Sequence, residues 1–199
     1  MMTANLDMIS AANSVLVLVD YQPSMFRGVG SSDRALIMNA AVAAASAASI
    51  LSVPTVFTAI SPDHNGAFVS DIAGLFPGQE VYARRVPGFD AFEDEAVLAA
   101  VKKPGRKKII VSGLWTSMCM AYTTLHGIRE GFEVYGLIDA AGDATADAHT
   151  YGVQRMIQAG VSPITWMPLV SEWMHDWANP KAGILAKDVY RKFDPMIGM

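Results

Sequence analysis

The chain has 199 residues, of which 52% are hydrophobic and 17% are charged, so it is long enough for one large domain with a substantial core. A formal net charge of −4, with no long basic run, argues against nucleic acid as a partner. The single cysteine excludes an intrachain disulfide and indicates a reducing compartment, so we predict a cytoplasmic protein.

The N-terminal stretch M-M-T-A-N-L-D-M-I-S contains an acid and no lysine or arginine, which is not typical of a signal peptide. No apolar run approaches the roughly 20 residues that span a bilayer, so we expect no membrane partner. The mean hydropathy of +0.27 is nevertheless high for a soluble monomer of this size. Together with 12 Met and four Trp, it predicts apolar surface buried between the subunits of a homo-oligomer.

The first predicted strand, residues 14–19, is a continuous aliphatic run that ends at Asp20. An acid directly beyond a buried parallel strand lies at the carboxyl edge of the sheet, where open α/β folds bind ligands. The alternative for Asp20 is an ordinary loop or capping residue. Further along, Asp33 caps a predicted alanine-rich helix that runs to about Leu51, and residues 54–60 form the second strand.

The next segment, residues 61–80, is a long loop with two Pro and three Gly. It is too long for a simple connection, so we predict that it forms a wall of the active site. A short third strand, residues 81–83, leads into Arg84 and Arg85. A helix is predicted from about 93 to 102.

The only cysteine lies just beyond the fourth predicted strand. The β-branched run of residues 109–111 is typical of a strand buried on both faces. Thr116 and Ser117 are suitable N-caps for a helix over 118–129, which places Cys119 in its first turn. The positive end of the helix dipole favours an anion there, so we expect a lowered pKa and a reactive thiolate. The alternative is a buried, inert cysteine.

The remaining elements repeat the alternation of strand and helix. They are a strand at 132–138 that leads into Asp139, a helix at 146–159, a strand at 161–166 and two amphipathic helical stretches. Six strands alternating with helices predict a single α/β domain, a three-layer open sandwich with a mostly parallel six-stranded sheet and helices on both faces.

Four side chains are predicted to meet at the carboxyl edge of this sheet. Asp20 ends the first strand, Arg84 and Arg85 end the third, and Cys119 follows the fourth. A nucleophile, a carboxylate and a cation at one edge would form an acyl-transfer site.

These segments resemble the isochorismatase-like family of cysteine hydrolases over most of the chain. V-L-V-L-V-D-Y-Q is similar to the family's first strand with its acid, and S-G-L-W-T-S-M-C-M is similar to its nucleophile signature. E-G-F-E-V-Y-G-L-I-D-A resembles the strand after the nucleophile helix. The ending T-W-M-P-L-V-S-E-W-M-H-D-W resembles the YcaC-like subgroup, which implies a homo-oligomer as large as an octamer.

The resemblance implies a mechanism. Asp20 would be the general base, and Cys119 would attack the carbonyl of a small amide or imide to form a thioester. A cis peptide between Leu114 and Trp115 would place the N–H of Trp115 beside that of Cys119 as a two-donor oxyanion hole. The implied substrate pocket contains Gln22, Phe26, Trp115 and Thr116.

One position departs from the family pattern, because the usual lysine after the third strand is missing. Arg85 is closest to that position, and Arg84 is the other choice. An arginine stays protonated, so it can hold an anion by charge but relays protons poorly. A catalytically idle relative with a ligand-binding or structural role therefore stays open beside the amidase. A thiol redox protein is disfavoured, since no second cysteine could resolve a sulfenic acid.

The histidines do not suggest a metal site. Metal-binding amidases of the family carry a D-x-H…H cluster, whereas here only the pair Asp63-His64 resembles it. The other histidines, His126, His149 and His175, lack ligand spacing. We therefore expect neither a metal nor an organic cofactor.

Overall fold

A parallel β-sheet forms the centre of the protein. The computed structural model describes residues 7–84 and 88–193. Within them, six parallel strands lie in the order β3-β2-β1-β4-β5-β6. The strands are β1 (Ser14–Val19), β2 (Thr55–Ile60), β3 (Val81–Arg84), β4 (Lys108–Gly113), β5 (Glu133–Leu137) and β6 (Ser162–Ile164). This confirms the predicted fold class, and the described sheet is parallel throughout.

Helices cover both faces of the sheet. They are α1 (Pro23–Arg27), α2 (Arg34–Leu51), α3 (Pro62–Asn65), α4 (Ser70–Ala73), α5 (Glu95–Lys102), α6 (Ala121–Arg129), α7 (Ala146–Gln158), α8 (Trp166–Met174), α9 (Ala182–Leu185) and α10 (Arg191–Phe193), with a 3-10 turn at Ala91–Glu93 and π-helical turns at Thr116–Met120 and Ala186–Tyr190.

The central strand β1 shows how two cores form on one sheet. Its side chains alternate, so Leu16 and Leu18 face one layer and Val17 faces the other. The first layer contains the alanine face of α2 and the buried residues of α8 and α9. The second contains buried residues of α5 and α7. A strand covered on both sides must be apolar along its whole length, as the sequence of β1 is.

Helix α2 is a core helix. It begins after Asp33, whose Oδ1 accepts a hydrogen bond from the N–H of Ala35 at 2.7 Å, as the sequence predicts. By length and composition it is the one helix in the described residues that could cross a membrane. However, half of it is buried inside the protein, and it packs against α8. Its apolar character therefore reflects the core.

Some local predictions differ from the structure. The sixth strand, predicted over 161–166, spans only Ser162–Ile164, and α8 begins at Trp166. The segment 61–80 contains the short helices α3 and α4 rather than loop alone. The first three residues of the predicted helix 118–129 belong to the π-helical turn Thr116–Met120, and α6 proper begins only at Ala121. Thr116 and Ser117 are not side-chain caps, because both lie inside that turn and its N-cap position, Trp115, makes no side-chain capping bond.

Candidate active site

The ends of three strands bring Asp20, Arg84 and Cys119 together. Asp20 directly follows β1, Arg84 is the last residue of β3, and Cys119 lies in the turn after β4. Asp20 has a left-handed backbone conformation with φ of 58°, and its N–H donates to the carbonyl of Thr58 at 3.0 Å. This backbone turn bends the chain out of the sheet at its carboxyl edge.

The Asp20 carboxylate is fully buried and has polar partners on both oxygens. Oδ1 accepts a hydrogen bond from the Thr58 hydroxyl at 3.0 Å, and Oδ2 forms an ion pair with Nη2 of Arg84. Burial raises the pKa of Asp20, while the Arg84 charge acts in the opposite direction. Sequence reasoning did not single out Thr58, although a polar residue inside the apolar strand β2 was a signal for it.

Among the described residues, Arg84 is the cation that pairs with Asp20. Its side chain is 1% exposed, and Nη1 donates to the carbonyl of Gly88 at 2.7 Å. Its Nε is buried without a hydrogen-bond partner among the described residues. The sequence favoured Arg85 for this position, but Arg85 lies outside the described residues.

Cys119 is buried, with 2% exposure, and its thiol lies within hydrogen-bonding reach of the Asp20 carboxylate and the Arg84 guanidinium. Burial, followed by the negative charge of Asp20, raises the pKa of Cys119 to about 12. The expectation of a lowered thiol pKa is therefore wrong. The positive end of the helix dipole favours a thiolate, but loss of solvation and the adjacent carboxylate outweigh it. The resting site pairs a neutral thiol with a carboxylate that can accept its proton.

The segment that carries Cys119 is residues 114–120, here named the 114–120 turn. The peptide bond between Leu114 and Trp115 is cis. The indole Nε1 of Trp115 donates to the carbonyl of Met25 at 3.0 Å, which ties the turn to α1. Both residues of the implied oxyanion hole, Trp115 and Cys119, thus belong to one short segment.

The polar partners of the 114–120 turn come from a distant part of the chain. The N–H of Thr116 donates to the carbonyl of Gly142 at 3.0 Å, and the N–H of Ser117 donates to Oδ2 of Asp143 at 2.7 Å. Oγ1 of Thr116 lies 2.8 Å from Nδ1 of His149. Sequence reasoning missed Asp143 and set His149 aside with the scattered histidines.

The predicted pocket residues have unequal access to solvent. Gln22 is fully buried, and its amide bonds to the backbone of Ile60 and Gly66, so it fixes the start of the 61–80 segment. Thr116 is also fully buried. Phe26 and Trp115 are half-buried and so could contact a ligand. No group of three or more potential metal ligands occurs in the part of the chain that the structure describes.

The isochorismatase domain family model matches residues 14–167. The chain is 30% identical over 174 residues to "Probable hydrolase YcaC" of Escherichia coli, which covers 86% of this chain and 83% of that protein.

Solved YcaC structures share the fold closely. The Escherichia coli protein, described as an octameric hydrolase of unknown specificity, matches with a TM-score of 0.90 and 27% identity over 98% of this chain and 97% of that one. YcaC from Pseudomonas aeruginosa, solved with hexane-2,5-diol and covalent acrylamide, matches with a TM-score of 0.90 and 26% identity over 98% of both chains. As the sequence motifs predicted, the chain belongs to the isochorismatase family of hydrolases and is similar to YcaC within it.

Proposed function

We propose that the protein is a cysteine hydrolase that cleaves a C–N bond of a small amide-like substrate through a thioester. The observation that carries this proposal is the position of buried Cys119 beside the buried Asp20–Arg84 ion pair at the edge of the sheet, where both charged groups act on its thiol. A nucleophile within hydrogen-bonding reach of a buried base is the arrangement that covalent acyl transfer requires.

In the first half-reaction, Asp20 takes the proton of Cys119 while the sulfur attacks the substrate carbonyl carbon. The carbonyl π electrons move to oxygen, and the N–H groups of Trp115 and Cys119 bind the resulting oxyanion. When the C–N bond breaks, Asp20 returns the proton to the leaving nitrogen, which departs as ammonia or an amine. A thioester remains on Cys119.

In the second half-reaction, Asp20 takes a proton from water as the water attacks the thioester carbonyl. Collapse of the tetrahedral intermediate breaks the C–S bond, and the proton passes from Asp20 to the departing sulfur. The products are the free carboxylic acid and the resting thiol. Each proton is thus carried by Asp20 alone, because an arginine does not relay protons readily.

Arg84 supplies a fixed positive charge in this scheme. Its guanidinium pairs with the Asp20 carboxylate in the resting site. After Asp20 has taken the proton, the same guanidinium is beside the new thiolate, since it also reaches the Cys119 thiol. Arg84 would therefore replace the usual lysine as a source of charge but not of protons. A role for Arg85 stays a prediction of the resemblance.

The idle-relative hypothesis keeps one specific observation in its favour, which is the 2% exposure of Cys119. The two hypotheses are separated by ammonia release from a panel of small primary carboxamides. The cysteine hydrolase predicts turnover that is lost in Cys119→Ala and unchanged in Gln154→Ala, a control at an exposed position of α7. If no carboxamide is turned over and the thiol of Cys119 is also inert to acrylamide, the idle hypothesis replaces the hydrolase.

We also propose that the protein assembles as a homo-oligomer, as the Escherichia coli YcaC octamer does. The support from this chain is a set of large apolar side chains that are exposed in the single subunit. They are Met8, Leu36, Phe89, Tyr151, Ile157, Trp177 and Ile184. Exposed apolar area of this kind is typical of surfaces that other subunits cover.

A further inference from the structure

The first N–H groups of the 114–120 turn have their hydrogen-bond partners outside the turn. A helix leaves its first N–H groups without partners inside the helix, and side chains at the N-cap usually satisfy some of them. Here the N-cap residue Trp115 makes no such bond, and the turn is π-helical. The N–H groups of Thr116 and Ser117 bond instead to Gly142 and Asp143. The cap of the turn is therefore provided by the loop between β5 and α7.

Asp143 is itself fixed by bonds in several directions. It is 1% exposed, its N–H donates to the Ser31 hydroxyl at 2.9 Å, and its carbonyl accepts from the N–H groups of Gly30 and Ser31. Its second carboxylate oxygen accepts from the N–H of Ala144 at 2.7 Å. With its backbone and both oxygens engaged, the carboxylate has little freedom to follow a displaced 114–120 turn.

His149 provides a second, independent attachment, to the side chain of Thr116. The Thr116 hydroxyl is fully buried, and its partner is Nδ1 of His149 at 2.8 Å. Burial lowers the pKa of His149, so its imidazole is neutral at pH 7 and carries one donor and one acceptor nitrogen. Either tautomer can bond to the hydroxyl, and a buried hydroxyl without a partner would be unfavourable.

Helix α7 packs closely against the 114–120 turn. Gly152 of α7 lies directly on Ser117, where a Cβ atom would come within 2.9 Å of the Ser117 Cα. The turn is thus in contact with α7 at Gly152, bonded to the loop at Asp143 and bonded to α7 again at His149.

We propose that His149 and Asp143 are positioning residues, which hold the 114–120 turn so that the N–H groups of Trp115 and Cys119 meet the developing oxyanion. This inference rests on the proposed cysteine hydrolase function. Neither residue reaches the reacting atoms in the proposed mechanism; both act through Thr116 and Ser117. A displacement of about 1 Å at such a site is enough for a rate loss of about 100-fold.

The test compares two reactions of Cys119 that differ in their need for an oxyanion hole. p-Nitrophenyl acetate acylates the sulfur through a tetrahedral oxyanion and expels p-nitrophenolate. Iodoacetamide alkylates the same sulfur by direct displacement of iodide and forms no oxyanion. A residue that positions the hole should affect the first reaction selectively, whereas general damage to the fold should slow or speed both.

His149→Phe should lower the acylation rate about 10-fold or more, with iodoacetamide alkylation of the folded protein close to wild type. It should also lower the unfolding midpoint, because the buried Thr116 hydroxyl loses its partner. His149→Asn, whose amide can replace Nδ1, should recover most of the acylation rate. Thr116→Val should lower the acylation rate by a similar factor to His149→Phe. The double variant should be little slower than either single variant, because both substitutions remove the same hydrogen bond. Gln154→Ala on the same helix is the matched control.

The inference is overturned if His149→Phe acylates at the wild-type rate, or if acylation and alkylation change in parallel in His149→Phe. Asp143→Asn keeps only one of the two acceptor oxygens, so it can accept from the N–H of Ser117 or from that of Ala144 but not from both. It gives a second arm of the test, in which a selective loss of acylation is also expected. A failure of the proposed function is separate from these outcomes, since it appears as a wild-type protein that p-nitrophenyl acetate does not acylate.

Discussion

At the scale of single residues, the buried ion pair of Asp20 and Arg84 dominates the site. Both side chains are nearly inaccessible, at 0% and 1% exposure. Removing one partner of a buried pair leaves the other charge uncompensated, which costs about 3–5 kcal/mol. The pair therefore stabilises the fold, in addition to the role that we propose for it in the chemistry.

Arg84→Met should lower the free energy of unfolding by about 3–5 kcal/mol, because the Asp20 carboxylate would stay buried without a cation. Urea unfolding of the variant and wild type measures this difference. Arg129→Met is the control, since that side chain is 70% exposed and its loss should change stability by less than about 0.5 kcal/mol. Equal stability of Arg84→Met and wild type would mean that the pair is not formed.

The Cys119 thiol should titrate far above free cysteine, whose pKa is about 8.5, because burial and the Asp20 charge both favour the neutral form. Since the pKa is raised, the thiolate fraction at neutral pH is smaller than that of an exposed cysteine. Asp20→Asn removes the negative charge and should move the thiol midpoint downward. Ultraviolet thiolate absorbance across a pH series measures both. A wild-type midpoint at or below 8.5 would contradict the buried thiol.

At the scale of elements, local sequence was sufficient for most of the sheet. The bounds of β1 match the predicted strand, since a strand buried on both faces is apolar at every position. Helix α2 was predictable for a similar local reason, its Asp33 cap followed by an alanine run. Each of these patterns lies within one continuous stretch of the chain.

The 114–120 turn was less predictable, because its partners lie elsewhere in the chain. Asp143 is 26 residues beyond Ser117, and His149 is 33 residues beyond Thr116. A local capping rule therefore assigned Thr116 and Ser117 a role that distant residues perform. The prediction of a lowered pKa for Cys119 was wrong for the same reason, since burial of the thiol depends on the whole folded chain and not on its helix alone.

The close packing of α7 on the 114–120 turn predicts opposite effects on stability for alanine substitutions at two glycines. Gly152→Ala should destabilise the protein by about 1–3 kcal/mol, because the new methyl group would meet the backbone of Ser117 at 2.9 Å. Gly183→Ala in α9 is the matched control, since nothing lies within 4 Å of its Cβ position and alanine favours a helix. Thermal unfolding should therefore shift in opposite directions. A stabilised Gly152→Ala would show that α7 is not seated on the turn.

At the scale of the whole molecule, the single subunit exposes several large apolar side chains, and such exposed apolar area is typical of subunit interfaces. Trp177 is 67% exposed and Leu36 is 63% exposed. We expect sedimentation velocity at micromolar concentration to give a homo-oligomer. A stable species at the monomer mass of 21.3 kDa would refute this assembly.

The most direct test of the central claim is the mass of the enzyme during turnover of an amide. Rapid acid quenching followed by peptide mass spectrometry should find the acyl group of the substrate on the peptide that contains Cys119, with ammonia or amine released. Asp20→Asn should accumulate no acyl-enzyme, because the thiol proton has no acceptor. Turnover that continues in Cys119→Ala, or an acyl group found on another residue, would contradict the account.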